Sequence, residues 1–143
     1  MKNCVKIYFS SISENEAFAR NAIASLIIPL NPTLSQINDV KTAVSEAVTN
    51  AIVHGYPDSV GEIYMEAQID GEFLHIKIVD YGVGIESVEK ALEPFYSTKI
   101  ESERSGMGFT IMQSFMDSVE VDSKINDGTT VKMTKKILQK HAV

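Results

Sequence analysis

The sequence has a single cysteine, no run of apolar residues long enough for a membrane, and no excess of positive charge. One cysteine excludes an intramolecular disulfide and a cysteine-rich zinc site, and Cys4 is expected as a half-buried thiol near a strand start. A membrane span needs roughly 18 or more consecutive apolar residues, and no stretch approaches that. The N-terminus lacks the charged and apolar regions of a secretory signal, so the expected location is cytoplasmic. Lys and Arg number 13 against 19 Asp and Glu, a formal net charge of −6. An acidic chain without a basic run is a poor match for the backbone of a nucleic acid, which leaves at most a local pocket for one small anion. What is present is ordinary: 143 residues, 44% of them hydrophobic, enough for one domain with its own core.

Periodicity divides the chain into short elements. Val5, Ile7 and Phe9 alternate with polar neighbours as in a half-buried strand. Ser13 with Glu16 reads as a capping box that opens a helix ending at Pro29, and Thr33 with Gln36 reads as a second one. The second helix is expected to run to about His54, with Gly55 at its C-terminus and Pro57 as a stop. Two strands follow, around Glu62 to Ile69 and Glu72 to Asp80, with Asp70-Gly71 as the hairpin turn. A short helix around Ser87 to Leu92 comes next, then a loop through Pro94 to Ser105. Gly106-Met107-Gly108 opens another helix, to about Met116. Strands from Val119 to Lys124 and Thr129 to Thr134 flank Asn126-Asp127-Gly128. This order predicts an α+β two-layer sandwich, a mostly antiparallel sheet covered by helices on one face.

Three separated stretches carry more polar and glycine residues than a core requires: EAVTNAIVHG at 46–55, DYGVG at 80–84 and RSGMG at 104–108. In the first, Glu46, Asn50 and His54 recur at steps of four, which stacks them along one stripe of a helix. Glu46 and Asn50 point away from the apolar stripe of Ile37, Val40, Val44, Ala47, Val48 and Ala51. A helix with two differently used faces is expected to stand between a core and a pocket. The second stretch is no EF-hand, because Gly82 occupies the position of the second ligand. The third lacks the last glycine of a dinucleotide fingerprint, with Ile111 in its place, and the chain has no P-loop. Singly, each stretch has a plain structural reading: a solvated pair, a turn after a strand, a surface charge.

Together they suggest one chemistry. Glycines ahead of a helix let backbone N–H groups approach an anion at the positive end of the helix dipole. Lys99 and Arg104 can add charge-assisted contacts to the same phosphates. Asp80, at a strand end, can accept a hydrogen bond from an exocyclic amine such as that of adenine. Asn50 offers a neutral oxygen to a Mg²⁺ ion whose other ligands are phosphate and water. Glu46, one turn earlier, can receive the proton of an attacking hydroxyl.

In this order and spacing the three stretches resemble the ATP-binding fold shared by gyrase, Hsp90, MutL and histidine kinases. More narrowly, SEAVTNAIVHGY, PFYSTK and ERSGMGFTIM resemble the anti-sigma factor serine kinases of spore-forming bacteria, over nearly the whole chain. The resemblance implies that Glu46 is the general base and Asn50 the Mg²⁺ ligand. It implies that Asp80 recognises adenine in the motif that Gly82 and Gly84 complete, with Gly84 close to the base and Thr130 finishing that contact. Ser105, Gly106 and Gly108 would form the phosphate-binding turn, Arg104 would face the γ-phosphate, and Thr98 and Lys99 would lie in the lid over the nucleotide. ATP or ADP with Mg²⁺ is the implied ligand. The implied partners are a sporulation sigma factor held inactive, an anti-anti-sigma protein phosphorylated on serine, and a second copy in a homodimer. Arg20, one turn after Glu16 on the first helix, is either a contact for a protein partner or one half of a surface ion pair.

Four other readings compete. A non-catalytic anti-sigma module would use ATP only to fix its shape, and a stress-response relative would differ in its sigma factor. The catalytic domain of a histidine kinase is disfavoured, because Glu46 comes too early to leave room for a phosphoacceptor hairpin and His54 is the first histidine. A conformational ATPase like Hsp90 or gyrase would need further domains to move.

Overall fold

The computed structural model describes residues 1–93 and 108–137. Within them the chain runs through strand β1 (Lys2–Ser10), helix α1 (Glu14–Ile27), helix α2 (Leu34–Asn50), strands β2 (Glu62–Asp70) and β3 (Phe73–Asp80), helices α3 (Val88–Ala91) and α4 (Gly108–Phe115), and strands β4 (Ser118–Lys124) and β5 (Gly128–Lys136). The strands form one sheet in the order β1-β2-β3-β5-β4, and every neighbouring pair is antiparallel. The helices pack on one face of it, giving the α+β sandwich that the periodicity predicts.

The core lies between the inward residues of the sheet, such as Met65, Ile76, Ile78 and Met133, and the apolar stripes of the helices, such as Ile23, Val44, Val48 and Met112. Helix α2 packs against α1 on one side and α4 on the other, so it is the central helix of its layer. Helix α4 is held at its C-terminal end by Lys135 of β5, whose Nζ donates to the Phe115 carbonyl at 2.6 Å. A cation there also suits the negative end of the helix dipole.

Three local expectations change and one holds. The Thr33 capping box forms in full: Gln36 N–H donates to Thr33 Oγ1 at 3.1 Å and Thr33 N–H to Gln36 Oε1 at 3.0 Å. The Ser13 box does not, because Ser13 is itself helical in φ and ψ and caps nothing. Glu16, which should have closed that box, instead pairs with Arg20 and accepts from the Ser45 hydroxyl on α2. At the hairpin, Asp70 pairs with Phe73, so the two loop residues are Gly71 and Glu72, one place later than expected. Gly71 has φ 62°, the positive value that the first loop residue of a type II′ turn requires. Cys4 is exposed, because the alternation of an edge strand puts it on the outer face with Lys6 and Tyr8.

The two helix starts differ measurably. Thr33→Ala should lower the unfolding free energy by about 1 kcal/mol, whereas Ser13→Ala should stay within about 0.5 kcal/mol of wild type. Urea unfolding of both variants checks this; equal losses would contradict the capping pattern.

Candidate functional site

Helix α2 does not end as an ordinary α-helix. After Asn50 the chain makes one π-helical turn, Ala51–Gly55, and the Tyr56 N–H reaches back to the Ala51 carbonyl at 3.2 Å. Such turns insert one extra residue into the helical ladder and occur often at functional sites. Here the turn delivers the Gly55 backbone to the exit of β3.

That meeting is tight. A Cβ on Gly55 would lie 2.7 Å from Cγ of Asp80 and within 2.9 Å of both carboxylate oxygens. A Cβ on Gly82 would fall 1.8 Å from the Gly55 carbonyl oxygen, an impossible contact. The same carbonyl accepts the Val83 N–H at 2.9 Å. Glycine at both positions is therefore a steric requirement. The rest of the loop is secured on its far side, where the Ser123 hydroxyl accepts the Ile85 N–H at 2.7 Å and Asn126 N–H donates to the Val83 carbonyl at 2.9 Å. Gly84 packs directly over the Lys124 carbonyl.

Among the described residues the buried polar side chains are Ser11, Glu46, Asp80 and Thr129, and all but Ser11 belong to the elements that meet here. Asp80 is only 6% exposed, at the end of β3 opposite Thr129 of β5. Its Oδ1 accepts the Gly82 N–H at 3.0 Å. Burial pushes the Asp80 carboxyl up to about 6 from an ordinary 3.8, against the pull of the backbone N–H groups of Gly82 and Thr129.

Glu46 is likewise 6% exposed, on the face of α2 that the sequence assigned to a pocket. Asn50, one turn on, lies against the start of α4: a Cβ on Gly108 would stand 2.9 Å from its Nδ2 and 3.2 Å from its Oδ1. The first-turn N–H groups of α4 have no partners within the helix. The structure thus brings Asn50 to Gly108 at the start of α4, and Asp80, Gly82 and Gly84 to the loop that meets the π turn, with Glu46 buried on α2 one turn before Asn50. Thr98, Lys99, Arg104, Ser105 and Gly106 lie outside the described residues.

Thr130 is not beside Asp80. It pairs with Val79 and Asp122, and strand alternation turns it to the outer face with Lys132, while buried Thr129 occupies the place opposite Asp80. Thr129 is thus the β5 residue next to the carboxylate, a place that counting back along the last hairpin identifies. Gly55, Tyr56 and Ser123 carry no functional motif in the sequence, where Gly55 reads as a helix C-terminus ahead of Pro57. Arg20 sits 35% exposed on α1 in its ion pair with Glu16.

A family model described as the histidine kinase-like ATPase domain matches residues 12–135. The chain belongs to that family and, within it, to the group of the anti-sigma F factors. The anti-sigma F factor of Anoxybacillus flavithermus is 49% identical over 100% of this chain and 99% of its own length. That of Clostridium beijerinckii is 53% identical over 94% of each chain. Among solved structures, the RsbU and RsbW domains of a Mycobacterium tuberculosis protein match 94% of this chain with a TM-score of 0.68. At 18% identity that likeness concerns the fold alone, and this chain spans 32% of the longer one. Among the described residues no helix is long and apolar enough to cross a membrane.

The position of Asp80 has a thermodynamic consequence. Its folded pKa lies above its unfolded one, so the native state binds the extra proton between pH 3.8 and about 6. Stability from this group is therefore full below that window and falls as pH rises through it, by roughly 1–3 kcal/mol. Urea unfolding at several pH values, without nucleotide, should show the decline in wild type and its absence in Asp80→Asn. A wild-type curve no steeper than that of the variant would contradict the burial argument.

Proposed function

We propose that this protein binds Mg·ATP at the junction of α2, the β3 exit and α4, and transfers the γ-phosphoryl group to a serine of an anti-anti-sigma protein. In the same reading it holds a sporulation sigma factor inactive and works as a homodimer in the cytoplasm. The observation that carries this is the convergence on one helix: α2 presents Glu46 and Asn50 while its last turn delivers Gly55 to Asp80. Membership of an ATPase-type family and about 50% identity to proteins named anti-sigma F factor support it.

Each residue has a task that its chemistry suits. The Asp80 carboxylate is buried yet accepts from backbone N–H groups, so it can discriminate a base that offers an amine from one that offers a carbonyl. Gly82 and Gly84 keep side chains away from that base. Gly108, at the start of α4, and the neighbouring Ser105 and Gly106 would receive phosphate oxygens, with Thr98, Lys99 and Arg104 closing over them. The Asn50 amide oxygen supplies one ligand for a Mg²⁺ ion, which when bound neutralises charge on the phosphates. Glu46 takes the proton of the substrate serine as its oxygen bonds to the γ-phosphorus and the bond to the ADP oxygen breaks. Arg20, half-buried on α1 in its ion pair with Glu16, remains the proposed contact for a protein partner. Thr129 replaces Thr130 as the β5 residue beside the base.

Glu46→Gln keeps the shape of the side chain and removes the base. It should retain ATP binding and lose phosphoryl transfer by about 10²-fold or more. The check is intact-mass spectrometry of a candidate anti-anti-sigma protein after incubation with Mg·ATP and either form of this chain. One phosphate added to a partner serine by wild type alone is the expected result. Equal labelling by the variant would remove Glu46 as base. No labelling by wild type, despite an ATP-dependent complex, would favour the non-catalytic binding module.

A further inference from the structure

Tyr56, the residue that follows the π turn, is a hinge point between three segments. Its hydroxyl donates to the Glu62 carbonyl at the start of β2, at 2.6 Å, and accepts the Tyr81 N–H at 2.7 Å. Its ring lies so close over Gly61 that a Cβ there would stand 2.3–2.7 Å from the ring atoms. Immediately before it, the Gly55 carbonyl takes the Val83 N–H. Residues 55 and 56 thus hold Tyr81 and Val83, and the residue framed by these two bonds is Gly82, whose N–H in turn orients the Asp80 carboxylate.

We propose that Tyr56 is a positioning residue for base recognition: its hydroxyl locks the first peptide after Asp80 and so fixes the carboxylate against the amine of a bound adenine. This rests on the nucleotide reading above. The hydroxyl is suited to the work because it must donate and accept at once, which a phenolate cannot do. Burial raises the Tyr56 pKa above its ordinary value of 10, so the group stays a neutral phenol throughout the working range. The residue reaches the base only through Asp80, which separates its effect from that of a group on the phosphates. Loss of the hydroxyl frees the Tyr81 peptide and lets the carboxylate rotate, and the penalty falls on ligands whose binding depends on that carboxylate.

The test compares ADP with inosine diphosphate, which carries a carbonyl in place of the amine, by calorimetric titration of full-length wild type and Tyr56→Phe. Wild type should prefer ADP. The variant keeps the ring on Gly61 and should bind ADP about 3–30-fold more weakly, with its affinity for inosine diphosphate nearly unchanged, so that the preference narrows. A purely structural role would weaken both nucleotides alike. Should Tyr56→Phe not fold, Gly61→Ala displaces the same hydroxyl by pushing the ring away, and the same narrowing is expected. Undiminished preference in the variant overturns this inference alone. Failure of wild type to bind ADP, or to prefer it, overturns the nucleotide reading and this inference with it.

Discussion

The Gly55 carbonyl lies where a side chain on Gly82 would have to be, and the rest of the site depends on that contact. A helix end and a strand exit meet with no atoms between them except backbone and one carboxylate. The hydrogen bond from Val83 to Gly55 ties the two segments together. The Asp80 carboxylate packs directly on Gly55, and its burial follows from the approach of the two backbones. Its high proton affinity is a by-product of the same geometry.

Around that contact the work is divided between parts with different degrees of support. Helix α2 is embedded between α1 and α4 and over the sheet, so Glu46 and Asn50 stand on the best-buttressed element of the layer. The β3 exit is held from both sides, by Tyr56 on one and by Ser123 and Asn126 on the other. The α4 start is anchored indirectly, through its packing on α2 and the bond of Lys135 to its far end. Positioning by embedded elements leaves little reorganisation to be done when charge develops in a transition state.

Much of this was legible in the sequence, for physical reasons. The alternation in β1 to β5 and the apolar stripe of α2 survive in the fold because they are the residues that fill its core. The step of four from Glu46 to Asn50 survives because it stacks two side chains on one face of a helix. What stayed hidden was tertiary. Glu16 looks like a capping residue until Arg20 and Ser45 compete for it. Thr130 looks like the partner of Asp80 until the pairing of β3 with β5 sets the count, and a slip of one residue turns a strand's side chains to the opposite face. Tyr56 has no motif at all: its two partners, Glu62 and Tyr81, are fixed only when three segments come together.

The π turn also sets what kind of change this helix can absorb. Up to Asn50 the helix is a regular ladder in which a substitution alters one side chain. From Ala51 to Gly55 the chain carries one residue more than that ladder needs. Five residues in the wide π turn carry the chain about as far around the axis as four in an α turn, so the helix before it and the chain after it keep their directions while the turn itself bulges. The bulge brings Gly55 against Asp80 and leaves the core side of α2 as it was. The extra residue is therefore absorbed locally: it changes what the helix end can reach and spares the apolar register of α2 on the sheet.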